Sequence, residues 1–321
     1  AHVFSSGADG TVRKWDPDSA AERDPGRLGS YPIRVGFAAQ DSVVAVVPHG
    51  GVPRAVDPLA KGPPPPRPDA VDSPFGLGLA PDGATALTMI GGRVAIWDVL
   101  AGKVSDRAVK WADPSDAAPL AVGPECKRAA FATDGGEPLR WIDTASGTFG
   151  KLSDPPKSVD AVAMGPEGKL AAAIGAGSQV ALWDVASGQQ IRSEKFAEVQ
   201  LRALAIGATG KRVVAVGESF ASAEEPKKIA GAIRLLPISA ARSAEALDIG
   251  QESFTCVALS SDEELIAAGT ASGTVILSTA KGDKRVFKAP SAATSVAFSI
   301  DGRALVVGLR SGGIAVFKIS G

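Results

Sequence analysis

Apolar positions in this chain fall into short runs of two kinds, which alternate along its length. One kind is a triplet with a small residue between two apolar ones. The examples are Val35-Gly36-Phe37, Leu77-Gly78-Leu79, Leu120-Ala121-Val122, Val162-Ala163-Met164, Leu204-Ala205-Ile206, Val257-Ala258-Leu259 and Val296-Ala297-Phe298. The other kind is a nearly continuous apolar run, as at 43–47, 170–174, 213–216, 265–268 and 305–307. Runs this short and this apolar predict strands covered on both faces. Turn signals such as Pro81-Asp82-Gly83, Pro166-Glu167-Gly168 and Ile300-Asp301-Gly302 separate the two kinds. After each pair comes a strand of alternating character, then a polar stretch such as 102–110 or 281–288.

The alternating strand is the most recognisable element. At 179–188 it ends on Trp183-Asp184 and turns at Ser187-Gly188, and it recurs as Trp15-Asp16, Trp97-Asp98 and Trp141-Ile142-Asp143. Weaker copies end near positions 57, 237, 278 and 318, a period of roughly 40 to 45 residues. No repeat carries the i, i+3, i+4, i+7 apolar stripe of a helix, so helical solenoids of similar period are excluded. Four-stranded antiparallel units of this kind, packed face to face around an axis, make a β-propeller. The small central residue of each first strand then meets the crowding expected at that axis. The expectation is an all-β chain, one propeller domain over 1–321.

The repeats resemble the WD40 family over nearly the whole chain. That resemblance implies inter-blade packing by Trp15, Trp97, Trp141 and Trp183, with Asp16, Asp98, Asp143 and Asp184 in the same structural set. In the family the Trp often joins a hydrogen-bonded tetrad with a loop His, a Ser or Thr, and an Asp. Here the Gly-His dipeptide is absent, and the turn Asp is clear only at Asp9 and Asp134. Blade cohesion is therefore expected to rest on packing. Eight Trp-Asp-like strands stand against seven first strands, and the first and last repeats read as incomplete. Eight blades are favoured, with seven as the alternative. Trp111 lies outside the motif.

Two stretches break the period. Residues 218–230 form a polar surplus between the second and third strands of the sixth repeat, expected as a surface loop. Residues 61–68 carry five prolines, which suits an outermost strand; a polyproline ligand for an SH3 or WW module is the sharper alternative.

Composition narrows the chemistry. Of 321 residues, 45% are hydrophobic, enough for a large core, and the formal net charge of -1 supplies no field for a nucleic-acid backbone. No apolar run approaches 18 residues, so no membrane insertion is expected. The first residues lack the charged and apolar regions of a secretion signal. Asn is missing altogether, as codon bias in a GC-rich, bacterial genome would produce. The compartment is open, and a soluble cytoplasmic setting is the working expectation.

Cys126 and Cys256 have no metal-ligand spacing and fall three repeats apart, so both read as free thiols. With only His2 and His49, a Ser-His-Asp triad or a His-based metal site lacks its parts. Residues 207–212 half-match a phosphate loop but miss its spacing. Asp16-Pro17-Asp18 and Asp262-Glu263-Glu264 read as solvated turn carboxylates, with no metal and no cofactor expected.

The functional expectation is a non-catalytic scaffold that binds a protein or peptide on one propeller face. Register places Arg34, His49, Arg93, Asp160, Arg202 and Arg310 at its rim, with Phe220, Glu224 and Lys228 of the insertion. The alternatives are a propeller enzyme of hydrolase type and a sensory or structural module of a longer polypeptide.

Overall fold

The computed structural model describes the strands between residues 3 and 110. From 119 to 319 it describes all residues except 124–126, 133–138, 221–228, 240–241, 251, 300–301 and 312–313. His2, Asp9, Asp16, His49, residues 61–68, Trp111, Cys126, Asp134, Glu224 and Lys228 lie outside the described residues. The chain divides into two compact units, Ala1–Lys151 and Leu152–Gly321.

The described residues form eight antiparallel sheets, in which each strand pairs with the next along the chain. Sheets 1 to 4 (3–27, 32–56, 75–110 and 120–151) belong to the first unit, and sheets 5 to 8 (159–195, 199–248, 254–288 and 293–318) to the second. Sheets 4 to 7 have four strands each. In sheet 3 the described parts of the expected fourth strand at 102–110, Lys103–Val104 and Val109–Lys110, both pair with Arg93–Asp98. The helical residues among those described are the 3-10 turn Pro166–Gly168.

The continuous apolar runs are the second strands, and they carry the core. Ala171–Gly175, Val213–Glu218 and Ile266–Thr270 are buried along their full length. In the second unit the first strands of successive sheets lie side by side, Val159–Met164 by Val199–Ile206, then Phe254–Leu259, then Ala293–Phe298. Between sheets 5 and 6, Ile174 and Leu182 pack with Leu201, Val213 and Leu236. Sheets 6 and 7 meet through Val214, Ile233, Phe254 and Ile266, and sheets 7 and 8 through Val275, Leu277, Leu305 and Val307. In the first unit, Leu87 packs with Phe131 and Ile142. Each such side chain contributes about 1.5–3 kcal/mol relative to exposure.

The Trp-Asp strands end as the pattern predicts, but the four tryptophans do not share one position. Trp183 and Trp97 are buried and immediately precede the Asp. Trp141 precedes Asp143 by two residues, which in a strand turns it to the opposite face. Ile142 takes the buried place instead, while Trp141 is half-buried beneath the Arg128 guanidinium, 5.7 Å from its ring centroid. The Asp makes the turn itself. Asp184 Oδ1 accepts from the Ser187 amide at 2.7 Å and its hydroxyl at 2.8 Å. Asp143 Oδ1 accepts from Ala145 and Ser146 in the same manner. The Asp143 bond to Ala145 is an Asx turn, and Asp184 closes its turn one residue further on, which explains why Asp recurs where the third strand stops. Trp183 is also held by more than packing: Nε1–H donates to the Ser153 carbonyl at 2.6 Å.

Two further expectations change. The insertion is shorter than 218–230, because its flanks continue the ladder: strands Arg212–Phe220 and Ile229–Pro237 pair out to Phe220 and Ile229. Glu263 is not a solvated turn carboxylate. It is 1% exposed, with Oε1 accepting from the Thr209 amide at 2.7 Å, its hydroxyl at 2.6 Å and the Lys211 amide at 3.5 Å. The stretch that half-matches a phosphate loop thus cradles an anion after all, a carboxylate from the neighbouring sheet. Gly207 leaves the room, since a Cβ there would stand 2.0 Å from Glu263 Cδ.

Candidate functional site

Every antiparallel sheet of the second unit has two ends. At one, turns join the first and second strands; at the other, hairpins join the second and third. The described rim residues of this unit, Asp160, Arg202, Phe220 and Arg310, fall at the hairpin end, where the first strands share an irregularity. The register slips between Val159 and Ala161, Leu201 and Ala203, Phe254 and Cys256, and Ala293 and Ser295. Asp160, Arg202, Thr255 and Thr294 are thereby left unpaired, and all four are exposed. A β-bulge re-aims one side chain without interrupting the strand. Four sheets in succession thus turn one residue outward at the same height. Sheets 2 and 3 show the same slip, at Ile33 and Gly76.

The bulge has a partner that the sequence reading missed. Opposite it, the second strand carries Gly175, Gly217, Gly269 or Gly308. A Cβ on Gly217 would stand 1.9 Å from the Gln200 carbonyl oxygen, and one on Gly175 2.2 Å from that of Ser158. The signal was available as a glycine closing each apolar run. It went unused because glycine in a strand reads equally as weakness.

Bridging hydrogen bonds fix these strand ends. Ser178 Oγ, in the hairpin of sheet 5, donates to the Val199 carbonyl at 2.8 Å and accepts from the Leu201 amide at 3.0 Å. Thr255 Oγ1 lies 3.1 Å from both the Gly269 and the Ala293 carbonyl oxygens. Glu252 accepts from the Ser272 hydroxyl, and the hydroxyls of Ser272 and Thr270 hold its carboxyl below the usual range.

Of the expected rim residues, Asp160 and Arg202 occupy equivalent bulge positions on adjacent strands. Arg202 is ion-paired with Glu218 at 2.6 Å, so its charge is partly spoken for. Arg310 is exposed, and its amide donates to the Ala292 carbonyl just ahead of the fourth bulge. Phe220 is 39% exposed at the last pair of the long hairpin. In the first unit, Arg34 pairs with Val47 beside the unpaired Ile33, one place off the bulge, and Arg93 opens the third strand of sheet 3. Cys256 sits behind the rim as a buried free thiol, its pKa pushed up by desolvation.

A crevice of about 340 Å³ opens at this end of sheet 6, lined by Ala197, Glu198, Ser219, Phe220, Ala230, Arg234 and Asp248. Arg234 is 6% exposed and donates to Asp248 Oδ1 at 2.8 Å and to the Ile233 carbonyl at 3.0 Å. Its guanidinium lies 5.9 Å from the Phe196 ring centroid. Among the described residues, the Glu198 carboxylate and the second Asp248 oxygen accept no hydrogen bond. The described residues also contain no cluster of three or more His, Cys, Asp or Glu suited to a metal, and no helix long and apolar enough to cross a membrane.

No protein-family model and no curated sequence matches the chain. Solved structures match it in fold. A computationally designed protein, Ika8, superposes with a TM-score of 0.73 at 18% identity, over 99% of this chain and 93% of that one. Hydrazine synthase of Kuenenia stuttgartiensis gives a TM-score of 0.67 at 18% identity, over 90% and 96%. The β-propeller domain of Cps50 (Swd1) from Myceliophteria thermophila gives 0.62 at 18%, over 91% and 98%. The chain has a β-propeller fold. At this identity the likeness is one of architecture alone.

Proposed function

We propose that this chain is a non-catalytic interaction module, one eight-bladed propeller over residues 1–321, which holds a protein or peptide against the hairpin ends of its sheets. The observation that carries this reading is the repeated bulge. Asp160, Arg202, Thr255 and Thr294 are turned outward by the same backbone device on four adjacent strands. Beneath them lies a stiff apolar core, so ordering the site costs little when a partner docks. The outward residues differ from sheet to sheet, which is how a repeat scaffold acquires specificity. The partner surface comprises Asp160, Arg202, Phe220 and Arg310, extended by Arg34, His49, Arg93, Glu224 and Lys228. The likeness to the Swd1 propeller domain supports the same reading at the level of fold. The shortage of histidine in the sequence argues against an acid-base enzyme.

Affinity capture with the tagged chain, followed by mass spectrometry, tests the proposal. A stoichiometric polypeptide is expected, lost on combined charge reversal at Asp160, Arg202 and Arg310. Capture indifferent to those three changes overturns the surface assignment.

A further inference from the structure

The crevice in sheet 6 has a chemistry of its own. Its volume stands at the low end of the roughly 300–1,000 Å³ typical of ligand pockets, enough for one long side chain rather than a cofactor. The uncharged part of the lining is small or apolar: exposed Ala197, half-buried Ser219 and Ala230, and the partly exposed Phe220 ring. Charge is unevenly supplied. Arg234 is the single cation among the described lining residues and is already engaged by Asp248 Oδ1 and a backbone carbonyl. Two acidic residues line the same crevice, Asp248 and the exposed Glu198, and Glu198 is uncompensated among the described residues.

We propose that this crevice takes a basic side chain, arginine above all, from an extended segment of the partner polypeptide. The aliphatic stem lies along Ala197, Ala230 and the Phe220 ring. The charged head reaches Glu198 and the free oxygen of Asp248. An aromatic lip with convergent carboxylates suits a guanidinium, which is weakly hydrated and stacks on ring faces. An acidic side chain meets uncompensated Glu198, and a neutral one leaves that carboxylate desolvated without a partner. The site thus selects by charge and by reach together. The inference rests on the reading of the chain as an interaction module, and names the chemistry that one of its sheets recognises.

Titration of the full chain, labelled with ¹⁵N, with the peptide Ac-Gly-Arg-Gly-NH₂ tests it. The citrulline, lysine and glutamate counterparts serve as comparators. The expected result is chemical-shift change confined to residues around Glu198, Phe220, Ala230 and Asp248. The arginine peptide should bind at least tenfold more tightly than the citrulline or glutamate peptide. Glu198→Gln should weaken it about tenfold, and Ala230→Leu, which fills the crevice, should abolish it; unchanged melting temperatures verify that both variants are folded. Equal binding of arginine and citrulline peptides, shifts elsewhere, absence of binding, or indifference to both substitutions overturns the proposal. The titration is independent of the capture experiment. A chain that captures a partner yet fails the titration loses the crevice assignment alone; one that passes it but captures nothing loses the broader reading.

Discussion

Trp183 donates its indole N–H to the backbone carbonyl of Ser153 at 2.6 Å, across thirty residues of chain. The same serine accepts the Gln190 amide on its hydroxyl at 2.9 Å, so a third strand, a fourth strand and the segment leading into the sheet meet at one residue. A completely buried ring with a satisfied N–H both fills volume and fixes register. Trp183→Phe should therefore cost about 1 kcal/mol for the lost hydrogen bond, in addition to packing. Trp183→Ala should cost about 3–5 kcal/mol. Trp141→Ala, on the half-buried face under Arg128, should cost much less, about 1–2 kcal/mol, although the sequence presents both residues as the same motif. Chemical denaturation of the three variants measures the difference.

The glycines opposite the bulges offer a second test. At Gly217 an added methyl group would collide with the Gln200 backbone, which cannot rotate away as a side chain could. Gly217→Ala should destabilise by about 1–3 kcal/mol. It should also shift the amide resonances of Gln200–Ala203, because relief of the clash requires the bulge to move. Unaltered stability would mean that the bulge is not tightly built.

Glu263 tests the lock between sheets 6 and 7 at their opposite end. Its carboxylate takes two backbone amides and one hydroxyl from the 207–212 turn. Glu263→Ala should leave the buried amide donors unmatched, at about 1–3 kcal/mol each. Glu263→Gln keeps one acceptor oxygen and should retain part of the stability. Hydrogen exchange at Thr209 and Lys211 should accelerate in both variants, more in the alanine.

Acid sensitivity follows from three turn carboxylates. At Asp143, partial burial pulls the pKa upward, but hydrogen bonds from Ser146 and Ala145 and the neighbouring Arg128 outweigh it and leave the value below 3.8. Asp262 is held below 3.8 by the Ser260 hydroxyl and the Glu264 amide. Glu252 is held below 4.5 by the Ser272 and Thr270 hydroxyls. In each case the unfolded chain binds the proton more readily, so the stabilisation is complete above these ordinary values. It is lost as pH falls through the lower folded-state values. The melting temperature should decline below about pH 4.5, and Asp143→Asn should make that decline shallower.

Much of the strand order was legible because burial on both faces leaves a continuous apolar run and a turn leaves Asp-Gly. The sheet behind 170–174 and the turn at Asp184–Ser187 follow from those signals alone. The face of Trp141 did not, since a one-residue shift before Asp143 reverses a strand face while leaving the motif recognisable. Glu263 was misplaced because a charged residue in a turn is ordinarily solvated, and only the neighbouring sheet reveals its amide partners. The extended ladder to Phe220 and Ile229 was hidden by polar composition. Asp160 and Arg202 were reached by register, yet the bulges that expose them depend on glycines read merely as strand ends. The crevice joins residues from 197 to 248, which no local pattern brings together.

The most direct test of the account compares the two ends of the second unit's sheets in one binding measurement. Charge reversals at Asp160, Arg202 and Arg310 address the hairpin end; reversals at Glu167, Lys169 and Lys211 address the turns at the other. With a captured polypeptide as ligand, surface plasmon resonance should show at least a tenfold loss of affinity for the first set and wild-type affinity for the second. Loss confined to the second set, or equal loss in both, would contradict the claim that the bulged, hairpin end is the working face.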